Sequence, residues 1–360
     1  MPKPDRHQPQ IGRGAASNPA GRFEALATQA VDDGWGSLDE PLPQLQTIVK
    51  PEHAKGIISR NNSPDVGFSQ SINPYQGCEH GCIYCYARPS HAYLNLSPGL
   101  DFETRLFYKK DAARLLEETL QAPGYRCEVI ALGANTDPYQ PIERQYRVTR
   151  DLLEVLAKYR HPVAIITKGS MIERDIDLLS SMAAQGLVAV NVSVTTLNND
   201  LKRTLEPRAA SPAARLRTIQ KLAAAGIPVG VLVAPVIPVL TDHELESILQ
   251  AAAAAGASRG GYVLLRLPHE LKQLFEEWLV THEPLKAEHV LSRLREMRGG
   301  KQNDPRFGHR MTGEGVYAQL LKQRFVTAVR KLGLNQQRHR LKTELFQPPR
   351  PVDAQFELPF

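Results

Sequence analysis

The sequence predicts an α/β fold, a partial (β/α)6 barrel with an N-terminal extension and a helical C-terminal region. Three observations predict it. Short runs rich in Val, Ile and Leu recur between residues 67 and 267 with little alternation of apolar and polar positions, which is typical of strands buried on both faces. Amphipathic segments separate these runs, as helices do in parallel sheets. The runs number six, whereas a closed barrel of this kind needs eight.

The predicted strands and helices alternate along the chain. One helix has Ser211 as its N-cap, Pro212 at its first position and Gly226 directly after its end. We therefore expect parallel strands joined by right-handed crossovers. The strands are predicted at residues 67–73, 128–133, 163–167, 188–194, 229–234 and 262–267. The helices between them are predicted at residues 111–121, 149–159, 173–185, 212–225 and 242–255.

The flanking segments differ in composition from the core, which we place at residues 61–268. The start of the chain is rich in Pro, Gln, Gly and Asp, so residues 1–60 are predicted to be a partly disordered extension. Residues 269–345 are predicted to be helical, and the Pro-rich residues 346–360 to form a flexible tail. Three C-terminal helices are predicted, at residues 271–280, 287–297 and 316–332.

The overall composition narrows the class of protein. Of the 360 residues, 42% are hydrophobic, which is enough for a sizeable core. No apolar run reaches membrane length, and residues 1–13 lack the apolar stretch of a secretory signal, so we expect a cytoplasmic protein without membrane contact. The net charge of +6 allows an anionic partner such as nucleic acid, although modest basicity is common in proteins without one.

Three of the four cysteines form one short motif. Cys78, Cys82 and Cys85 have the spacing C-x3-C-x2-C, and Cys127 lies far along the chain. Thiolates bind iron–sulfur clusters, and three cysteines leave one iron of a four-iron cubane without a protein ligand. Zinc with His80 as a fourth ligand is an alternative, but zinc ligands usually come in two pairs. A disulfide framework is disfavoured because four cysteines are few for 360 residues.

The motif has an aromatic residue before its last cysteine and resembles the signature of the radical S-adenosylmethionine (SAM) superfamily. The resemblance implies a [4Fe-4S] cluster held by Cys78, Cys82 and Cys85, with SAM bound to the fourth iron. It also implies that an electron from a flavodoxin- or ferredoxin-like donor cleaves SAM to methionine and a 5′-deoxyadenosyl radical, which abstracts hydrogen from a substrate. The partial barrel is the fold of this superfamily, and its chemistry is expected at the carboxyl ends of the strands.

Further stretches resemble the spore photoproduct lyase-related branch of the superfamily, and more closely an uncharacterised bacterial family within it. They are N-P-Y-Q-G-C-E-H-G-C-I-Y-C-Y-A-R-P, T-D-P-Y-Q-P-I-E, L-E-P-R and A-P-V-I-P, and the resemblance extends over residues 12–335. It implies radical chemistry on DNA, as in a repair lyase. The hydrogen-donor cysteine of that lyase is missing here, because Ala134 and Asn135 stand before Thr136 and Asp137.

The residue that relays the hydrogen atom therefore has no direct counterpart. Cys127 comes at the start of the second predicted strand, the end far from the chemistry, so we interpret it as a small buried residue rather than a relay. Tyr139, beyond the other end of that strand, is an alternative relay. We expect no second iron–sulfur cluster, because the C-terminal region has no cysteines.

Polar residues at the ends of the predicted strands are the candidate SAM contacts. The resemblance implies that the loop after the second strand holds the amino group of SAM, although a plain turn would favour the same residue types. Lys168 follows the third strand and suits a carboxylate or phosphate. Residues 233–238 form an apolar edge suited to adenine, with Tyr84 nearby. The candidates are Tyr84, Ala134, Asn135, Thr136, Asp137, Lys168, Ser193, Thr195, Glu206 and Arg208.

The C-terminal end of the chain carries one more motif. The last six residues, from Gln355 to Phe360, resemble the Q-x-x-L-x-F peptide by which bacterial DNA proteins bind the sliding clamp. A basic cluster within residues 322–342 is either a solvated helix face or a nucleic-acid-binding patch. We therefore predict a radical SAM enzyme with an unidentified substrate, for which DNA is the candidate. The alternative is a non-catalytic nucleic-acid-binding protein with a structural metal site.

Overall fold

The structure, a computed structural model, describes residues 11–24, 45–337 and 340–348. A seven-stranded sheet forms its centre, in the order β10-β9-β8-β7-β6-β3-β2, with β2 antiparallel and the other six strands parallel. These six strands confirm the predicted partial barrel. The strands are β1 (Ile48–Glu52), β2 (Ile58–Arg60), β3 (Gln70–Ile72), β4 (Tyr75–Gln76), β5 (Arg105–Lys109), β6 (Ile130–Leu132), β7 (Val163–Thr167), β8 (Val188–Ser193), β9 (Val229–Val236) and β10 (Arg259–Leu264).

The parallel strands lie in the core, which explains their continuous apolar composition. Every residue of β8 except Asn191 is buried. Neighbouring strands are in step, since Val163 lies beside Val188 and Val190 lies beside Val229. The carboxyl ends of all six strands therefore meet at one edge of the sheet, which is where ligands bind in α/β folds of this type.

The helices cover the sheet and follow the predicted pattern. The hydroxyl of Ser211 accepts a hydrogen bond from the backbone N–H of Ala214 at 3.2 Å and so caps α7, and Gly226 follows this helix with a φ of 73°. The helices are α1 (Asp101–Thr104), α2 (Ala112–Gln121), α3 (Glu143–Tyr146), α4 (Val148–Lys158), α5 (Ile176–Ala184), α6 (Asn199–Leu205), α7 (Pro212–Ala224), α8 (Leu245–Ala254), α9 (Leu271–His282), α10 (Ala287–Glu296) and α11 (Gly315–Lys331).

Of the six predicted strands, β7 alone has the predicted bounds. β3 and β6 are shorter than predicted, β8 ends one residue earlier, β9 ends two residues later, and β10 is shifted by three residues. β10 begins three residues before the predicted start at residue 262. The cause is that Gly260 and Gly261 lie within the strand but add no apolar side chain to the pattern. β6 is shorter than the predicted 128–133, because only its three middle residues pair with both neighbouring strands.

The sequence signals do not predict the small second sheet, in which β5 lies between β1 and β4. β1 belongs to the N-terminal extension and pairs in parallel with β5, whereas β4 pairs antiparallel. These strands are two to five residues long, and no residue of β1 is fully buried. They therefore lack the apolar run that marks a central strand. The second sheet joins the N-terminal extension to the segment that leads into the cysteine motif.

The described residues after α11, 335–337 and 340–347, are here called the C-terminal strap. The side chain of Asn335 both donates to and accepts from the backbone of β10. Phe346 packs edge-on against His161, directly before β7, with ring centroids 5.3 Å apart. The strap thus runs along the amino ends of the parallel strands, opposite the edge where their carboxyl ends meet.

None of the helices in the described part of the chain has the length and apolarity needed to cross a bilayer. The sliding-clamp motif from Gln355 to Phe360 lies outside the described residues. So do residues 1–10 and 25–44 of the predicted extension.

Gly133, directly after β6, should be intolerant of any side chain. Its φ is 86°, and a methyl group there would overlap the carbonyl oxygen of Ile166 in β7. Gly124 is a matched control, because its φ is 82° but a methyl group would meet nothing within 4 Å. We expect Gly124→Ala to lower the free energy of unfolding by about 1–2 kcal/mol, the cost of the left-handed backbone alone. Gly133→Ala should lower it by about 3 kcal/mol or more, because the overlap adds to this cost.

Denaturant unfolding of both variants measures this difference. Equal losses in the two variants would show that the loop after β6 can move away from β7.

Candidate active site

The three cysteines of the motif lie on one loop after β4, here called the cysteine loop (residues 77–87). Their thiols are free, and those of Cys78 and Cys82 are buried. Burial raises the pKa of the Cys78 thiol, and the nearby charges of Asp137, Cys82 and Cys85 raise it further. The three thiols thus belong to one short loop of the chain. Across the described residues, no three His, Cys, Asp or Glu side chains, those of the motif included, lie close enough together to hold a single metal ion.

Two glycines allow the tight path of the cysteine loop. Gly77 and Gly81 have φ values of 75° and 68°, which side chains rarely adopt. A methyl group on Gly81 would also lie 2.7 Å from a carboxylate oxygen of Glu103. The loop is therefore bent around its three thiols by backbone conformations that only glycine adopts easily. Three free thiols on such a loop fit an iron–sulfur cluster with one iron left open.

Arg88 fixes the cysteine loop through hydrogen bonds from its guanidinium group to the loop's carbonyl oxygens. Its side chain is fully buried, and Nε donates to the carbonyl oxygen of Cys82 at 2.8 Å. One terminal nitrogen donates to the carbonyl oxygen of Gly81 at 3.1 Å, and the other to that of Gly99 at 2.9 Å. The guanidinium also forms an ion pair with Glu103, which is fully buried as well. Every N–H of this arginine thus orients a carbonyl or a carboxylate.

Glu103 links the N-terminal extension to the same loop. Its two carboxylate oxygens accept hydrogen bonds from the backbone N–H of Ala15 at 2.9 Å and of Gly14 at 3.0 Å. Gly14 has to be glycine, because a methyl group there would overlap the carbonyl oxygen of Gly81. Residues 14 and 15 therefore lie directly against the cysteine loop, and the extension is part of the site.

The loop after β6 contacts the cysteine loop from the other side. The side-chain oxygen of Gln140 accepts from the backbone N–H of Glu79 at 2.8 Å, and its amide nitrogen donates to Gly77 O at 3.1 Å. Asp137 accepts from Thr167 Oγ1 at 2.6 Å and from the N–H of Lys168 at 2.6 Å. These bonds fix the cysteine loop relative to the ends of β6 and β7.

Asp137 is a buried anion held by donors around it. Burial alone would raise its pKa, but His80 and the hydrogen bonds from Thr167 and the N–H of Lys168 lower it to about 2. Nδ1 of His80 lies 3.4 Å from the Asp137 carboxylate, too far and too poorly aligned to count as a hydrogen bond. Asp137 thus orients the site through contacts within the protein, and its predicted SAM contact stays a prediction.

Tyr84 of the cysteine loop forms one buried polar group with Thr195 and Glu206. Oγ1 of Thr195 lies 3.0 Å from the Tyr84 hydroxyl and donates to Glu206 at 2.9 Å, and the Tyr84 hydroxyl also bonds to Glu206. The other carboxylate oxygen of Glu206 pairs with the buried Arg215. Burial would raise the pKa of Glu206, but Arg215 and Lys168 lower it to about 2. Three predicted SAM contacts are thereby brought together, with Glu206 ionised and paired inside the protein.

The segment that contains Glu206 also packs on the cysteine loop through its backbone. The N–H of Ile83 donates to Leu205 O at 3.0 Å, and the N–H of Arg208 donates to His80 O at 3.2 Å. The Arg208 side chain is more exposed and forms an ion pair with Glu79 at 2.9 Å. Arg208 therefore lies at the rim of the site, beside the cysteine loop.

Lys168 directly follows β7, and Ser193 is the last residue of β8. The two side chains have different surroundings. Ser193 is buried, and its carbonyl oxygen accepts from Arg215 at 3.0 Å. The ammonium group of Lys168 lies 3.4 Å from Ala234 O and 5.7 Å from the centre of the Tyr84 ring. In the described part of the chain it forms no ion pair. Burial raises the pKa values of the Cys82 and Cys85 thiols, and the charge of Lys168 opposes part of this rise. Lys168 is thus a cation beside the thiols without a carboxylate partner.

The remaining candidates after β6 are bonded to neighbouring segments. The N–H of Asn135 donates to the Asn73 side chain at 3.0 Å, and the hydroxyl of Thr136 donates to Tyr75 O at 2.7 Å. The carbonyl oxygen of Ala134 accepts from the hydroxyl of Tyr86, the residue after Cys85. The loop therefore lies beside the cysteine loop, as the resemblance implied, although the roles of its residues toward SAM stay predictions.

The two relay candidates lie in different places. Tyr139 is buried, and its hydroxyl donates to Asp175 at 3.1 Å, so a relay role would require this bond to break. Cys127 is half-buried just before β6, at the amino edge of the sheet and away from the other three thiols.

The profile of the radical SAM superfamily matches residues 72–252, half of the chain, and this span contains the cysteine loop and the ends of β3 and β6 to β9. The chain belongs to the radical SAM superfamily. It is a radical SAM enzyme, and the cofactors of its family are SAM and an iron–sulfur cluster. The predicted superfamily is confirmed.

Relatives of this radical SAM enzyme match it over different shares of their length. An uncharacterised protein of Mycobacterium tuberculosis is 36% identical over 276 residues, which cover 76% of this chain and 77% of that protein. A radical SAM Nα-GlyT isomerase of Pseudomonas phage M6 is 27% identical over 194 residues, covering 52% of this chain and 38% of the isomerase. The structure of spore photoproduct lyase complexed with dinucleoside spore photoproduct superposes with a TM-score of 0.57 at 16% identity, covering 79% and 80% of the two chains. The last comparison shows a shared fold.

Sequence reasoning missed four buried polar residues that shape the site: Arg88, Glu103, Gln140 and Arg215. Arg88 and Gln140 lie inside the stretches that carry the family resemblance. Their place in these stretches is the sequence signal that could have marked them as site residues. Glu103 and Arg215 stand outside the quoted motifs. Their pairing with Arg88 and Glu206 depends on the folded chain, and no local pattern reveals it.

Loss of the Arg88 cation should destabilise the chain strongly. Arg88→Met leaves the Glu103 carboxylate buried without its counter-ion, so we expect the free energy of unfolding to fall by about 3–5 kcal/mol. Adding Glu103→Gln removes the unpaired charge and should restore part of this loss. Arg105→Met is the control, because Arg105 is exposed and its ion pair with Asp101, at 3.3 Å, is worth about 0–1 kcal/mol.

Denaturant unfolding of the two single variants and the double variant measures these differences. A loss in Arg88→Met no larger than that in Arg105→Met would contradict the structural role of the pair.

Proposed function

We propose that this radical SAM enzyme binds a [4Fe-4S] cluster through Cys78, Cys82 and Cys85, and that it acts on DNA in a lyase-like reaction. The observation that carries the cluster assignment is the group of three free thiols on one glycine-bent loop at the carboxyl edge of the sheet. A four-iron cubane with three protein ligands leaves one iron for SAM. The chemistry that the bound group supplies is reductive cleavage of SAM to a 5′-deoxyadenosyl radical, which abstracts hydrogen from the substrate.

The residues of the chain supply binding and orientation. Lys168 suits the SAM carboxylate, since it is a cation beside the thiols that forms no ion pair with any carboxylate of the described residues. The buried group of Tyr84, Thr195 and Glu206 forms the polar wall next to it. Backbone groups at Ala134 and Asn135, together with Thr136, Asp137, Ser193 and Arg208, complete the proposed SAM site.

Three observations support a DNA substrate. The chain has a net charge of +6, which favours polyanionic partners. Tyr86, within the cysteine loop, has 47% of its surface exposed. An exposed aromatic ring beside a reactive centre can stack on a base. The fold is shared with spore photoproduct lyase, whose structure holds a dinucleoside photoproduct. The proposed class of reaction is hydrogen abstraction from a nucleotide.

Two protein partners belong to the same proposal. A flavodoxin- or ferredoxin-like protein would deliver the electron that SAM cleavage consumes. The residues from Gln355 to Phe360 would bind the sliding clamp and bring the enzyme to DNA. A pull-down with the clamp tests the second partner, and binding that survives deletion of these six residues would remove this role.

The cluster assignment is tested on protein reconstituted without oxygen. We expect about four irons and as many sulfides per chain in the wild type, and 5′-deoxyadenosine when SAM and dithionite are added. Cys82→Ala should lose both, because one iron ligand is gone. Cys127→Ala is the matched control and should keep both, since Cys127 lies at the opposite edge of the sheet.

Zinc without sulfide, in the wild type, would instead support the alternative of a non-catalytic nucleic-acid-binding protein with a structural metal site.

Loss of the Lys168 cation should weaken SAM binding. Lys168→Met should raise the dissociation constant for SAM roughly tenfold or more, since a hydrogen bond between charged groups is lost, while the iron content stays the same. Lys272→Met, on the exposed surface of α9, is the control. Equilibrium binding of SAM to the reconstituted proteins gives both constants. Equal constants for the two variants would assign the SAM carboxylate to another residue.

A further inference from the structure

Arg266 is a partly buried cation at the carboxyl edge of the sheet, two residues after β10. The backbone N–H of the residue before it, Leu265, donates to Val236 O at 3.0 Å and so holds this segment beside β9. Nε of Arg266 is shielded from solvent and has no hydrogen-bond partner. One terminal nitrogen lies 3.6 Å from the sulfur of Met311, a weak acceptor. Within residues 45–337 no carboxylate forms an ion pair with Arg266.

Two further arginines, Arg298 and Arg310, lie near Arg266, and the guanidinium groups of both have hydrogen-bond or ion-pair partners. Arg310 forms an ion pair with Asp65. Arg298 donates to the carbonyl oxygens of Leu265 and Arg310, each at 2.8 Å. Burial lowers the pKa of Arg266, and the charge of Arg310 lowers it further.

A desolvated cation without a counter-ion is costly, so this place in the fold favours an added anion. Asp65, whose ion pair is with Arg310, is the carboxylate that raises the pKa of Arg266. The three guanidinium groups therefore leave an excess of positive charge at this end of the sheet.

The free cation faces the cysteine loop. The guanidinium carbon of Arg266 lies 5.5 Å from the centre of the Tyr86 ring. Tyr86 directly follows Cys85, and its hydroxyl donates to Ala134 O in the loop proposed to hold SAM. An exposed aromatic ring next to an unpaired arginine offers a stacking surface and a phosphate-binding fork side by side.

We propose that Arg266 binds a phosphate group of the substrate and that the substrate is a nucleic-acid strand with a base stacked on Tyr86. This deepens the proposed function and rests on it for the position of the reactive centre. Arg266 acts as a positioning residue, because it holds the strand by its backbone while the neighbouring nucleotide lies beside the cysteine loop.

The test is strand binding by the reconstituted full chain with SAM present. Fluorescence anisotropy with a labelled thymidine oligonucleotide of about ten residues measures affinity across a range of salt concentrations. We expect Arg266→Gln to weaken binding roughly tenfold. The slope of log K against log salt should become shallower by about 0.7, the contribution of one phosphate contact on a single strand.

Two variants serve as comparisons. Arg266→Lys keeps the charge but loses the planar fork, so its salt slope should match the wild type while its affinity is intermediate. It also carries the test if Arg266→Gln fails to fold. Arg295→Gln removes an exposed charge on α10, where Arg295 pairs with Glu288 at 3.1 Å, and should bind like the wild type.

Two further probes separate the sources of phosphate. With a methylphosphonate oligonucleotide, whose backbone is neutral, the difference between wild type and Arg266→Gln should vanish. Thymidine 5′-monophosphate should compete far more weakly than the strand. Equally strong competition would show that the site takes a free phosphorylated compound, which would overturn the proposal of a nucleic-acid strand.

Three further results would contradict the proposal or the function on which it rests. Unchanged strand affinity and salt slope in Arg266→Gln would overturn the proposal. A loss of SAM binding in Arg266→Gln, measured separately, would also overturn it and assign the cation to the cofactor. Absence of a cluster or of 5′-deoxyadenosine in the wild type would refute the proposed function instead, and the anisotropy result would stand apart from it.

Discussion

The buried ion pair of Arg88 and Glu103 is the interaction on which the site depends. Arg88 orients two carbonyl oxygens of the cysteine loop, and Glu103 accepts two N–H groups of the N-terminal extension. Two buried charges are tolerated because nearly every donor and acceptor around them is used. The pair thus connects three segments that are distant in sequence: the extension, the cysteine loop and α1. The thiols take their positions from this network as well as from the loop itself.

A second set of buried charges repeats this arrangement on the opposite side of the thiols. Glu206 pairs with Arg215, and Asp137 is held by donors from β7 and the residue after it. Both carboxylates stay ionised at neutral pH, with pKa values of about 2. The cysteine loop therefore lies beside two ionised carboxylates, and Lys168 is a cation near the thiols that forms no ion pair with the described residues. This uneven distribution of charge makes the carboxyl edge of the sheet suited to a zwitterionic ligand.

The sequence predicted the parts of the molecule that leave a local signal. Buried parallel strands such as β7 and β8 are continuous apolar runs, and their helices carry capping residues, so the six β/α units could be counted. The cysteine motif is likewise local. β1 and β5 left no signal because they are short and partly exposed, and their pairing joins residues far apart. Glu103 and Arg215 were missed because the function of a buried charge is defined by a partner that only the fold supplies.

The C-terminal strap has a consequence for the order of events in a reaction cycle. Because the strap runs along the amino ends of the strands, it leaves the carboxyl edge, where the cysteine loop lies, uncovered by the strap itself. A long polymer lying over Tyr86 would cover that same side. Small ligands would then have to enter first and leave last. Steady-state kinetics would be compulsory-ordered, with the cofactor as leading substrate and its fragments as the final products released.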